Sequence, residues 1–412
     1  MTKTIPQFTI PVSSRSLFTM VRKILTNSGV RGKDVEGFGN DLAIYLGVNQ
    51  IRSFNEGRTA LHVALQALDL NQGDEVLVPA YTCPIVFEVV LRLGLRPIFV
   101  DVNLETCNMD SELIQEAITT KTKAIIPVHL FGRPCDMNQI SEICEKTNLR
   151  LIEDAAQALG ATVGDRKVGT MGDLAVFSFG PGKSITGGAG GALAVNDPEL
   201  SKPVNRIHAQ LPDPSRKEVI HAARNVLSMK VFSDRLYPLV KERVEQSIEE
   251  DDRMVVDNCI ALQKEGKAPN STIQLAKMPN LSAAVVREQL PKTQQFNERR
   301  IANARMLTKL LVEAGEKVKP SMSNEPGNTY SRYVVRVDKT DRDRIVSKMQ
   351  KHKVDAIRPY YYIGDLLETL SSKKCPNAQE LSDSLIALPN HPLLTESDIQ
   401  RISTCFLQPD CP

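Results

Sequence analysis

The chain has 412 residues, 42% hydrophobic and 24% charged, a balance that excludes disordered and fibrous classes and allows two or three globular domains. Fifty-one basic against 49 acidic side chains leave a formal charge of +2, too weak a field to draw nucleic acid or an anionic membrane. Eight cysteines (Cys83, Cys107, Cys135, Cys144, Cys259, Cys375, Cys405, Cys411) lack CxxC pairs and short spacings, so scattered buried thiols are expected rather than a disulfide framework or a metal site. No stretch nears the roughly 18 to 20 apolar residues of a membrane span, and the N-terminus lacks an apolar run behind a basic start. A cytoplasmic enzyme with small-molecule substrates is the expectation.

From Arg58 to about Asn196 apolar-periodic stretches alternate with short aliphatic runs, the rhythm of βα units around a largely parallel sheet. A helix is expected through ALHVALQALDL, and Gly73 and Asp74 then break the chain before the strand EVLVPA. RPIFVDV, KAIIPVHL, RLIEDA, DLAVFSF and GALAVND are further strand candidates, with helix-like SELIQEAI and MNQISEICEKT between them. Residues 201–280 read as a polar excursion, within which KERVEQSIEEDD is a solvated run. Helical periodicity returns from Leu281, with Gly315 as a plausible C-cap. YSRYVVRVD then reads as a strand, DRDRIVSKMQKH as a helix and TESDIQRISTCFL as a closing helix with Thr395 as N-cap. The fold expected is α/β: a large domain over 1–280 with a mostly parallel, helix-flanked central sheet, and a smaller α+β domain over 281–412.

Ligands of open α/β sheets gather beyond the carboxyl ends of the strands, which directs attention to Asp154 and Lys183. The segment FSFGPGKSITGGAGG first suggests a phosphate-binding P-loop, but Phe177 stands where such a loop needs its first glycine. Lys183 reads instead as an amine on a strand-following loop, able to form an imine with an aldehyde once its pKa is lowered. Taken alone, such a lysine is more often a surface charge. Asp154 in LIEDAAQALGA can stabilise a protonated ring nitrogen, and Gln157 one turn on can reach a ring hydroxyl, although Asp154 alone would read as a helix N-cap. Gly57, Arg58 and Thr59 at a helix start, and Ser178 five residues before Lys183, are two candidate anion sites.

In order and spacing these segments resemble the DegT/StrS family of sugar-nucleotide aminotransferases, members of the aspartate aminotransferase superfold. The resemblance runs over EGRTALHVALQAL, GDEVLVPAYTCP, GLRPIFVDVNLETCNMD, TKAIIPVHLFGRPCDM, LIEDAAQALGA, VGTMGDLAVFSFGPGKSITGGAGGALAVND and ALPNHPLLTESDI. It implies pyridoxal 5'-phosphate on Lys183, Asp154 at the pyridine nitrogen, Gln157 near the ring oxygen, and Ser178 with Gly57-Arg58-Thr59 at the phosphate. It also implies glutamate as amino donor, a keto sugar nucleotide as acceptor, and a homodimer with shared sites. Cys83 stands where many members have an aromatic residue over the ring, with Tyr81 the other candidate, and Arg58 replaces a threonine. A sugar dehydratase of the same family is the alternative that Lys183 argues against, since that branch carries histidine there. A regulatory protein retaining the cofactor pocket is the second alternative.

Overall fold

Six aliphatic runs too short for helices meet in one sheet. The computed structural model describes residues 3–232, 254–255, 257–259, 261–262, 273–313, 319–320, 326–360 and 374–408. In chain order the first part holds α1 (Ser14–Leu25), α2 (Lys33–Leu46), β1 (Ile51–Phe54), α3 (Gly57–Ala67), β2 (Glu75–Pro79), α4 (Ile85–Arg92) and β3 (Arg96–Val100). It continues through α5 (Ile114–Ala117), β4 (Thr122–Ile125), α6 (Met137–Thr147), β5 (Arg150–Asp154), the hairpin β6 (Thr162–Val163) and β7 (Arg166–Lys167), β8 (Leu174–Ser178), β9 (Gly191–Val195), α7 (Ser201–Gln210) and α8 (Arg216–Phe232). The central sheet has seven strands in the order β1-β9-β8-β5-β4-β2-β3. Neighbours from β3 across to β8 pair parallel, while β9 runs antiparallel to both β8 and β1. The mostly parallel, helix-flanked sheet is as expected. The reversal at β9 is not visible in GALAVND, because a strand covered on both faces reads as a continuous apolar run whichever way it points.

The polar excursion differs from its expectation in its first part. Val219, Ala222, Ala223, Val226 and Met229 of α8 are buried with Val12, Met20, Leu281 and Val285 in one apolar cluster. Their helical spacing is a narrow stripe of small side chains, which the charged outer face outweighs in any local average. KERVEQSIEEDD and Gly315 lie outside the described residues.

After the helix Asn280–Gln289 comes a long helix, Thr293–Val312, and then a three-stranded antiparallel sheet of β10 (Lys319–Pro320), β11 (Tyr333–Arg336) and β12 (Leu385–Leu388), with helices Lys339–Lys351, Pro376–Ser384 and Glu396–Leu407. This is the smaller C-terminal sheet unit. Thr395 is the N-cap of the closing helix: its hydroxyl accepts from Asp398 N–H at 3.1 Å, and the Asp398 carboxylate accepts from Thr395 N–H at 3.0 Å. Among the described residues, Cys107, Cys135, Cys144 and Cys259 are buried thiols, Cys375 is buried and Cys83 is partly exposed. Cys405 is disulfide-bonded, a correction to the expectation of thiols alone. Among the described residues no helix is long and apolar enough to cross a membrane, and no cluster of three or more ligating side chains could hold a metal.

Glu153, fully buried on β5, fastens the sheet to the turn before β8. Its carboxylate accepts backbone N–H bonds from Gly169 (2.7 Å), Met171 (2.6 Å) and Gly172 (2.7 Å), and lies 3.2 Å from His129 Nε2. Because Cys135 N–H donates to His129 Nδ1 at 3.0 Å, the proton of a neutral ring is on Nε2, and the ring donates to Glu153. Burial alone would raise the Glu153 pKa, but His129 and the backbone donors outweigh it and hold the carboxyl below its ordinary value. Glu153→Ala would strand three buried N–H groups at a cost of about 3 kcal/mol or more, whereas Thr395→Ala would remove one exposed cap worth about 1 kcal/mol. Denaturant unfolding of the two variants, with Glu153→Ala the more destabilised, checks this ordering.

Candidate active site

Every sequence-derived candidate lies at one edge of the central sheet, where the parallel strands end. Asp154 is the last residue of β5 and Ser178 the last of β8, Tyr81 and Cys83 follow β2, and Gly57 opens α3 just after β1. Lys183 sits in the loop from β8 to β9. That loop is held shut by Thr186, whose hydroxyl bonds the carbonyls of Phe179 (2.9 Å) and Gly180 (3.0 Å), and by Gln289, which bonds the Thr186 backbone on both sides.

Asp154 is buried, and its Oδ1 accepts from Ala156 N–H at 3.0 Å. Burial raises its pKa, opposed by the Ala156 bond and by the charges of Lys183 and His129. The Lys183 amine shifts the opposite way. Burial lowers its pKa, Cys83 and Asp154 raise it, and the guanidinium groups of Arg332 and Arg58 lower it. Both groups are therefore moved toward their neutral forms by the same dry surroundings, and a free amine becomes available below the usual lysine range.

The two candidate anion-binding segments lie against each other. A Cβ on Gly57 would stand 2.9 Å from Ser178 Cβ and 3.2 Å from its Oγ, so only glycine lets the start of α3 close on the end of β8. The first-turn N–H groups of Gly57, Arg58 and Thr59 precede the first bond of the helical ladder, Ala60 N–H to Glu56 carbonyl at 3.2 Å. The Thr59 hydroxyl is turned away from this cup and donates to Asn55 Oδ1 at 2.7 Å, leaving its backbone N–H as its contribution. Arg58 Nε lies 2.9 Å from the Glu56 carboxylate.

Gln157 joins the wall from both of its ends. Its Oε1 accepts from Phe131 N–H at 3.2 Å and its Nε2 donates to the Tyr360 hydroxyl at 3.0 Å. Tyr360 stacks on Phe131 (centroids 6.0 Å apart, 15° between planes) and meets the edge of Tyr81 (6.0 Å, 79°), and the Arg332 guanidinium lies 5.6 Å from its ring centre. Tyr81 is fully buried, its hydroxyl has no hydrogen-bond partner among the described residues, and its pKa is raised well above the ordinary value by burial. Phe131 holds a left-handed backbone (φ 57°), a strained conformation for a bulky residue.

His129, Phe131, Arg332 and Tyr360 escape the sequence reading. His129 could have been found by applying the strand-end rule within KAIIPVHL, whose strand ends at Ile125, but nothing local marks Arg332 or Tyr360, which reach the site from more than 140 residues beyond Lys183. The profile of the DegT/DnrJ/EryC1/StrS aminotransferase family matches residues 13–225 and 248–407. GDP-perosamine synthase of Caulobacter vibrioides is 29% identical over 90% of this chain and 88% of its own length. The aminotransferase TlmJ from Streptoalloteichus hindustanus superposes with a TM-score of 0.78 at 22% identity over 98% of both chains, and DesV of S. venezuelae, solved with a ketimine intermediate, at 0.74 and 26% over 98% of both. Sheet, site edge and sequence profile agree, and the chain belongs to the DegT/DnrJ/EryC1/StrS aminotransferase family.

Proposed function

We propose that this aminotransferase carries pyridoxal phosphate on Lys183 and moves an amino group from glutamate to a keto sugar nucleotide, in amino-sugar or polysaccharide biosynthesis in the cytoplasm. The observation that carries this reading is the convergence on one sheet edge of a buried carboxylate, an amine of lowered pKa and a glycine-opened anion cup. The nucleotide-sugar name of the perosamine synthase relative supports the acceptor class.

The residues present fit the cofactor. The Gly57–Ser178 cup is closed by backbone donors and a hydroxyl suited to a phosphate, and the Tyr81 hydroxyl, without a partner among the described residues, leaves a donor for a polar ligand. When bound, the cofactor supplies an aldehyde and an electron-withdrawing ring. Asp154 would hold the proton of the ring nitrogen, Gln157 would reach the ring oxygen, and Ser178 with Gly57, Arg58 and Thr59 would hold the phosphate. Lys183 Nζ, freed by the incoming amine, would take a proton from the substrate carbon and return it on the cofactor side, which its lowered pKa favours. Arg332 would steer the carboxylate of the amino donor. Tyr81 and Cys83 would flank the ring. A homodimer with sites shared between subunits is part of the same proposal.

Visible spectra of the purified protein test it. Glutamate is expected to bleach the cofactor band, a keto sugar nucleotide to restore it, and Lys183→Ala to do neither; protein that binds no pyridoxal phosphate sinks the proposal. A band that glutamate leaves unchanged would favour a binding protein over an enzyme.

Two further outcomes follow from the geometry. Gly57→Ala forces a Cβ into Ser178 and is expected to weaken cofactor affinity at least tenfold, about 1.4 kcal/mol, in a fluorescence titration. A nearby cation disfavours the Lys183 ammonium, so Arg332→Gln raises the lysine pKa. The rate at which cofactor-free protein is labelled by pyridoxal phosphate should then rise with pH along a limb displaced to higher pH than in wild type.

A further inference from the structure

A buried guanidinium with no counter-ion among the described residues stands behind the reactive loop. Arg300, on the long helix Thr293–Val312, is 3% exposed, and among the described residues no carboxylate pairs with it. Burial pushes its pKa down to about 10, so it remains a cation at neutral pH. A buried unpaired charge is costly, and an apolar side chain of similar size would be the cheaper filling. The donors of Arg300 show what its charge is used for. Nη2 donates to the Ser184 carbonyl at 2.7 Å, one residue from Lys183, and Nη1 donates to Asn297 Oδ1 at 3.0 Å.

Asn297 completes a bridge. Its Nδ2 donates to the Leu159 carbonyl at 2.9 Å, two residues past Gln157, in the turn that leaves Asp154. Gly160 makes that approach possible, because a Cβ there would stand 2.8 Å from Asn297 Nδ2 and its φ is +84°. One turn of one helix therefore holds the chain on both sides of the site, at Leu159 beyond Asp154 and Gln157, and at Ser184 beside Lys183. The same helix turn is fixed from the C-terminal segment: Asn390 Nδ2 donates to the Arg300 carbonyl at 3.3 Å, and the neighbouring His391 is fully buried, its pKa lowered to about 3 chiefly by burial. A neutral His391 adds no second charge against Arg300.

We infer that Arg300 and Asn297 form a positioning clamp that sets the Lys183 amine against Asp154 for attack on the cofactor aldehyde. The inference rests on Lys183 being the cofactor lysine. In the attack the Nζ lone pair of the free amine bonds to the aldehyde carbon, the carbon–oxygen bond breaks, and the two Nζ protons, one of them relayed through solvent, leave with the oxygen as water. A 1 Å displacement of the amine slows such a step far more than it weakens binding.

The test uses full-length protein stripped of cofactor, titrated with pyridoxal phosphate, reduced with borohydride at timed intervals and mapped by mass. Wild type labelled at Lys183 establishes the reference; wild type labelled elsewhere, or not at all, takes down the lysine assignment and the clamp with it. Arg300→Met is expected to label Lys183 at least tenfold more slowly with cofactor affinity changed less than threefold, and Arg300→Lys, which keeps a donor for Ser184, to recover part of the rate. Thr395→Ala, which weakens a distant helix cap, is expected to label at the wild-type rate and so separates positioning from general stability. A folded Arg300→Met that labels Lys183 as fast as wild type overturns the clamp. Should Arg300→Met fail to fold, Asn297→Ala decides: slowed labelling supports the bridge and an unchanged rate overturns it.

Discussion

The site depends on one electrostatic constraint, a buried carboxylate and a partly buried amine at the same sheet edge. Isolation from water moves each toward neutrality, raising Asp154 and lowering Lys183, while their mutual attraction acts the other way. Each pKa unit of such a shift corresponds to about 1.4 kcal/mol, enough to matter against the few kcal/mol that separate working from idle protonation states. An amine that must attack as a free base profits from the desolvation. A carboxylate that must stay charged needs a cation in front of it, and a protonated ring nitrogen has the chemistry to supply one.

β5 meets this constraint by using two consecutive acids for opposite purposes. Successive side chains on a strand point to opposite faces, so Glu153 and Asp154 cannot share surroundings. Glu153 is consumed by three backbone N–H groups and His129, which raises the cost of any shift of the strand end. Among the described residues Asp154 accepts a single backbone bond at its carboxylate, which leaves it acceptor capacity. His129 couples the two, since it donates to Glu153 while its charge, when present, would favour ionised Asp154. Strand rigidity and carboxylate availability are thus divided between neighbours rather than compromised in one residue.

The legible parts of the protein were those with local causes. Buried parallel strands announce themselves as aliphatic runs, and the residues after each run lie at the strand ends by topology, which is why the position of Lys183, Asp154, Gln157 and Ser178 at that edge is readable from the runs alone. Gly57 and Ser178, read as separate candidates, lie against each other, because the sheet order puts only β9 between β1 and β8. The direction of the Thr59 hydroxyl was not legible: the residue at position 55 competes for it, and nothing in a helix-start pattern shows which acceptor wins. Arg300, Arg332 and Tyr360 were invisible for a more general reason. Their roles come from contacts between distant parts of the chain, as between Arg300 and Ser184 or Tyr360 and Gln157, and an arginine in a helical stretch such as NERRIANARMLTKLL reads as a solvated charge.

The same distinction between local and distant causes bears on how the ring would be covered. Cys83 is small and partly exposed, so it offers much less contact area than an aromatic side chain at that place would. Tyr81 does not simply replace it, because its ring is already committed edge-on to Tyr360 and fully buried. The apolar surface of this wall instead comes from three rings in a row, Tyr81 against Tyr360 and Tyr360 against Phe131, locked by Gln157 at two points and by the strained backbone of Phe131. A wall assembled from the large unit and from the C-terminal segment is sensitive to how those two parts pack, whereas a single aromatic residue on the β2 loop would not be. Packing at the long helix and at Tyr360 therefore belongs to the chemistry of the site as much as the residues facing the ligand do.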